Sequence, residues 1–128
     1  MELNGRTVNF RRTIWATNAI MKMCPDGNLE RISEVFSGDA ADNIISMSAF
    51  ITIMSQGYEQ AMEFEASRRG ETYTKDPVTM DELMTLTDYS VFEQLSQEAL
   101  AAWTNDGKPT VESEPPKGKK TKKSAAKK

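Results

Sequence analysis

The stretch DAADNIISMSAFITIMSQGYEQAMEFEASRRG, Asp39 to Gly70, leaves this chain few choices of fold. It contains no proline. Ile44, Met47, Ile51, Met54, Tyr58 and Met62 recur at helical spacing and form one apolar stripe. Asp39 is a natural N-cap, Asp42 adds negative charge to the first turn, and Arg68-Arg69 adds positive charge to the last. The helix dipole favours each of these. Gly70 ends the element. The first half is apolar nearly all round, with Phe50 and Ile53 off the stripe, so it is expected to be the central buried helix. The second half turns amphipathic, with Glu59, Glu63 and Glu65 expected outward.

The segments on either side are shorter. MELNGRTVNF reads as a β-hairpin, because Asn4-Gly5 suits a type I′ turn with positive φ at both central positions. That register pairs Leu3 with Arg6 and Met1 with Val8. Met1, Leu3, Val8 and Phe10 then share an apolar face, opposite Glu2, Thr7 and Asn9. Two strands alone are marginal in water, so this face has to pack on helices or on a partner. Thr13 caps a helix whose stripe is Trp15, Ala19 and Met23, flanked by Ile14 and Ile20, and Pro25-Asp26-Gly27 ends it. Asn28 caps a short helix carrying Leu29, Ile32, Val35 and Phe36, which Gly38 stops.

After the connector ETYTKDP, Thr79 and Glu82 form a capping box, with Val78 and Leu83 at the two staple positions. That helix carries Leu83, Met84 and Leu86. Ser90 and Glu93 offer a second capping box for VFEQLSQEALAAW, with a stripe of Val91/Phe92, Leu95, Ala99 and Ala102/Trp103. Asn105-Asp106-Gly107 closes it. The expected fold is mainly α: an N-terminal β-hairpin, a compact bundle of about five helices over residues 1–108, and a disordered Pro/Lys-rich tail over 109–128. A domain of about 105 residues can bury roughly two-thirds of its unfolded surface, enough for one core.

The charge is split unevenly. Residues 1–114 carry 9 basic and 19 acidic side chains, while PPKGKKTKKSAAKK at the end carries seven lysines and no acid. The tail lacks apolar bulk to offset the entropy of ordering, hence the expectation of disorder. A lysine run can contact nucleic acid through counterion release, but this one has neither arginine nor an interleaved aromatic for base stacking. The single cysteine, Cys24, rules out an internal disulfide and suggests a reducing compartment. The start of the chain is polar and does not read as a signal peptide. The most apolar run, Ile44 to Met54, is about half the roughly 20 residues a membrane span needs. A cytoplasmic protein with no membrane partner is expected.

The residues for chemistry are few. There is no histidine, which removes the commonest general base, the commonest metal ligand and every His-dependent triad. Cys24 lies beside a proline in a helix-terminal turn, without the electropositive setting of a reactive thiol. Glu59 and Glu63 are four residues apart, but the Glu-x-x-His partner of carboxylate-bridged metal sites is missing, and a solvated helix face is the better reading. No glycine-rich phosphate loop is present. The chain reads as a non-enzyme, with no catalytic, cofactor or metal residues expected. Methionine is the unusual count, at eight. Methionine fills ordinary cores, and it also suits surfaces that grip varied apolar helices. On the second reading Tyr58, Met62, Met80 and Met84 are the candidate partner-binding residues.

The opening MELNGRTVNF, the late helix ending SQEALAAWTNDGKPTVESEPP and the close GKKTKKSAAKK together resemble a tail assembly chaperone of long-tailed bacteriophages, of the kind found in phages and prophages of Gram-positive hosts. The helical middle matches that family in length and character. The resemblance implies a protein of the host cytoplasm that binds the tape measure protein, keeps that long and partly apolar helical chain soluble, and helps recruit tail tube subunits. Self-association is compatible with it, and such chaperones are absent from the finished virion. It also implies a programmed frameshift that appends a second domain to a minority of chains. Lysine codons rich in adenine are natural slippery sites, which makes Lys119, Lys120, Lys122, Lys123, Lys127 and Lys128 the candidate frameshift region. The competing reading is a small DNA-associated regulatory protein using its basic tail. That reading predicts a basic recognition helix, whereas these helices are acidic and Arg11-Arg12 and Arg68-Arg69 are isolated pairs. A structural tail or head-completion subunit is a further alternative, but a tube subunit needs much more strand than one hairpin.

Overall fold

Asn4 and Gly5 have φ of 51° and 90°, and around them β1 (Glu2–Leu3) pairs antiparallel with β2 (Arg6–Thr7). The register is the expected one, with Leu3 opposite Arg6 and Met1 and Val8 exchanging backbone hydrogen bonds of 3.0 and 2.7 Å. Leu3 and Val8 are buried, and Met1 and Phe10 pack against the core beside them. The computed structural model describes residues 1–106. The expected boundary at 108, the tail and all six candidate frameshift lysines lie outside the described residues.

Five helices follow the hairpin: α1 (Ile14–Met21), α2 (Ile32–Val35), α3 (Ala40–Arg68), α4 (Met80–Leu86) and α5 (Tyr89–Asp106). Two 3-10 turns, Pro25–Gly27 and Leu29–Arg31, join α1 to α2. Most ends are set by the residues read as caps. Thr13, Asn28, Asp39 and Thr79 each accept a backbone N–H with the side chain. Past α3 the chain turns at Gly70, φ 75°. There Glu71 N donates to Ala66 O and Gly70 N to Ser67 O, which satisfies two carbonyls at the helix end. At α5 the cap is Asp88 and not Ser90. Asp88 Oδ1 accepts from Val91 N at 3.0 Å and from the Ser90 hydroxyl at 3.2 Å. With the carboxylate taking the first-turn N–H, the helix starts at Tyr89, two residues sooner than expected.

The core gathers around the middle of α3. Phe50, Ile51 and Met54 are fully buried, with Ile20 from α1, Val78, Leu83 from α4, and Leu95 and Ala99 from α5. Phe50 lies at its centre, edge-on to Phe36 and to Trp103, each 5.7 Å away between ring centroids. The Arg12 guanidinium sits 3.6 Å from the Trp103 ring centroid and donates to the Trp103 carbonyl at 3.1 Å. The end of α5 is thereby tied to the segment before α1.

Three expected faces are corrected. The first half of α3 is not buried all round: Phe50 is core as that expectation required, but Ile45 is 56% exposed. α1 turns Ala16 and Ile20 inward, leaving Ile14 88% and Trp15 42% exposed. The cause is Gly57. Arg11 N donates to Met54 O, and the strand of chain through Arg11–Thr13 crosses α3 directly over Gly57, bringing the small Ala16 into contact there. Large side chains do not fit between backbones so close. Glu59, expected outward, is only 7% exposed. Its Oε1 accepts from the Tyr73 hydroxyl at 2.8 Å and from Asp76 N at 2.9 Å. Four residues earlier, Ser55 Oγ accepts from Val78 N at 2.8 Å. Two buried polar side chains of α3 therefore pin the connector that returns along it.

Candidate binding groove

Asp39 starts α3 and Asp88 starts α5, and between the first turns of these two helices lies an open groove of about 600 Å³. Phe36, Ile44, Met47 and Phe92 form its apolar lining, with Ala40, Asn43, Tyr89, Glu93, Ser96 and Gln97 completing it. Each side chain arrives for a local reason. Phe36 follows α2 and is held edge-on to the buried Phe50. Asn43 Nδ2 donates to the Gly38 carbonyl, which fixes the approach from α2 to α3. Ile44 and Met47 are one turn apart on α3. Tyr89 and Phe92 are one turn apart on α5 and stack, with centroids 6.1 Å apart and planes at 28°. Tyr89 is 63% exposed, so the stack forms a free wall. Such a concave, largely apolar surface can bury apolar side chains of a partner.

Away from the groove, several acids are paired in place. Arg6 meets Glu82 through its two terminal guanidinium nitrogens at 2.6 Å and Asp76 through Nε at 3.0 Å, while Asn4 Nδ2 donates to Glu82 at 2.8 Å. This clamps the hairpin on the start of α4. Arg6, and to a smaller degree Asn4, holds the Glu82 carboxyl below its ordinary value, against the opposing effect of burial. Burial, then the bond to Glu59, pushes the Tyr73 hydroxyl up to about 12. Glu63 pairs with Lys75 and Glu65 with Arg11. Burial pushes the Cys24 thiol up, and its Sγ lies 3.5 Å from the Ile20 carbonyl. Among the described residues no group of three or more histidine, cysteine or acidic side chains is placed to hold a metal. No helix among them is long and apolar enough to cross a membrane.

The candidate partner residues fall on two helices. Tyr58 and Met62 are half-buried on α3, Met80 is half-buried on α4, and Met84 is 51% exposed on α4. None of the four lines the groove. The groove residues were missed because Ile44, Met47 and Phe92 were assigned to core stripes. The available signal was that both helices place large apolar residues in their first two turns directly after an acidic cap. No protein family, curated protein or solved structure matches the chain.

Proposed function

We propose that this chain is a bacteriophage tail assembly chaperone, a binding protein and not an enzyme, that holds apolar helical segments of the tape measure protein in the host cytoplasm and assists tail tube assembly. The observation that carries the reading is an open apolar groove, walled by Tyr89 and Phe92, on a small helical domain. A helix laid in such a groove inserts side chains at i, i+3, i+4 and i+7. The resemblance of the opening, the late helix and the lysine-rich close to that family supplies the identity of the partner. A frameshift among Lys119 to Lys128, adding a second domain to some copies, belongs to the same proposal. Charge favours this reading over a DNA-associated regulator, since residues 1–106 hold 8 basic and 17 acidic side chains and repel a duplex.

Co-expression with a tape measure fragment tests the proposal. Both the full chain and residues 1–110 are expected to keep the fragment soluble. If neither does, the chaperone reading is wrong. If only the full chain does, the activity belongs to the tail.

A further inference from the structure

We infer that the groove between α3 and α5 takes a cationic amphipathic helix, an apolar stripe flanked by lysine or arginine. This rests on the chaperone reading for the partner's identity but not for its chemistry. Length comes first. The groove borders α3 from Ala40 to Met47 and α5 from Tyr89 to Gln97. At 1.5 Å per residue these edges are about 10–12 Å long, or two helical turns. That length accommodates three or four anchors of one helix face.

Charge comes second. Glu93 is the charged side chain of the lining. Both bordering helices open on exposed acids, Asp39 and Asp42 on α3 and Asp88 on α5. Arg31, the cation on the α2 side, is already engaged by Glu34 at 2.8 Å and Asp26 at 3.1 Å. An apolar helix with acidic flanks meets like charge at this rim, whereas one with basic flanks meets its complement. The exposed Tyr89 ring, stacked on Phe92, offers a further face to a cation.

The experiment uses the full chain and three labelled helical peptides, read by fluorescence anisotropy at low salt. One has a leucine stripe flanked by lysines, one the same stripe flanked by glutamates, and one lysine flanks with the stripe replaced by serine. The lysine-flanked leucine peptide is expected to bind at least about tenfold more tightly than either control, with the gap to the glutamate peptide shrinking as salt rises. Tyr89→Ala, at an exposed position, is expected to weaken that peptide about tenfold with an unchanged melting temperature. Glu93→Lys is expected to narrow the preference for lysine flanks. Equal binding of the lysine and glutamate peptides, or binding indifferent to Tyr89→Ala, overturns the inference. So does a full chain that sediments as a dimer and becomes monomeric on Tyr89→Glu, because a second copy then fills the groove. Peptide binding without rescue of a tape measure fragment retains the groove chemistry and removes the phage reading. Rescue without peptide binding does the reverse.

Discussion

At Gly57 a methyl group would lie 2.6 Å from the Arg11 carbonyl oxygen and 3.2 Å from Thr13 Oγ1. A glycine inside a helix normally costs about 1 kcal/mol against alanine. Here the close crossing of the Arg11–Thr13 segment reverses the expectation. Gly57→Ala is predicted to destabilise by about 2 kcal/mol, because forced backbone separation outweighs the helix gain. A urea melt showing stabilisation would refute the crossing. Met54 and Met62 lie on the same stripe two turns apart, but Met54 is fully buried and Met62 is half-exposed. Met54→Ala should cost about 2–5 kcal/mol, and Met62→Ala clearly less. Thermal melts of the two variants decide this, and equal losses would place Met62 in the core as well.

Among the elements, the start of α4 carries the most specific polar contacts. Thr79 caps it, Val78 and Leu83 are buried on either side of the cap, and the hairpin's Arg6 and Asn4 hold Glu82. Unfolded, Glu82 titrates near the ordinary carboxylate value of about 4.3, and folded it titrates lower. Its stabilising effect is therefore full above that pH and fades as the pH falls through the folded value. Glu82→Gln is predicted to lose about 2 kcal/mol at neutral pH, with the gap to the parent chain closing in acid. A gap that stays constant down to the acid transition would exclude the Arg6 contact as its source. Elements with one dominant local signal were legible in the sequence: the hairpin register from Asn4-Gly5, four helix caps, the Val78/Leu83 staple and the α5 stripe. The inward face of α3 was not, because its first half is apolar all round and periodicity cannot choose between Phe50 and Ile45. Nor was the burial of Glu59, which depends on Tyr73 and Asp76 returning from a loop. Of the candidate site, Met84 is exposed but lies away from the groove, and the groove at Phe36, Tyr89 and Phe92 needed the packing of α3 on α5 to exist.

Over the whole molecule the charges oppose each other, with seven lysines at the end of a chain whose first 114 residues carry 19 acids and 9 bases. Beyond a Debye length attraction and repulsion toward DNA largely cancel, so a gel shift at about 0.15 M salt should show no submicromolar affinity. In the proposed function the first turns of α3 and α5 grip a helical partner. Amide hydrogen exchange on the full chain, with and without a tape measure fragment, decides whether they do. New protection is expected to concentrate in residues 40–47 and 89–97. Protection confined to α4 and the second half of α3, around Tyr58, Met62 and Met84, or to residues 115–128, would contradict it.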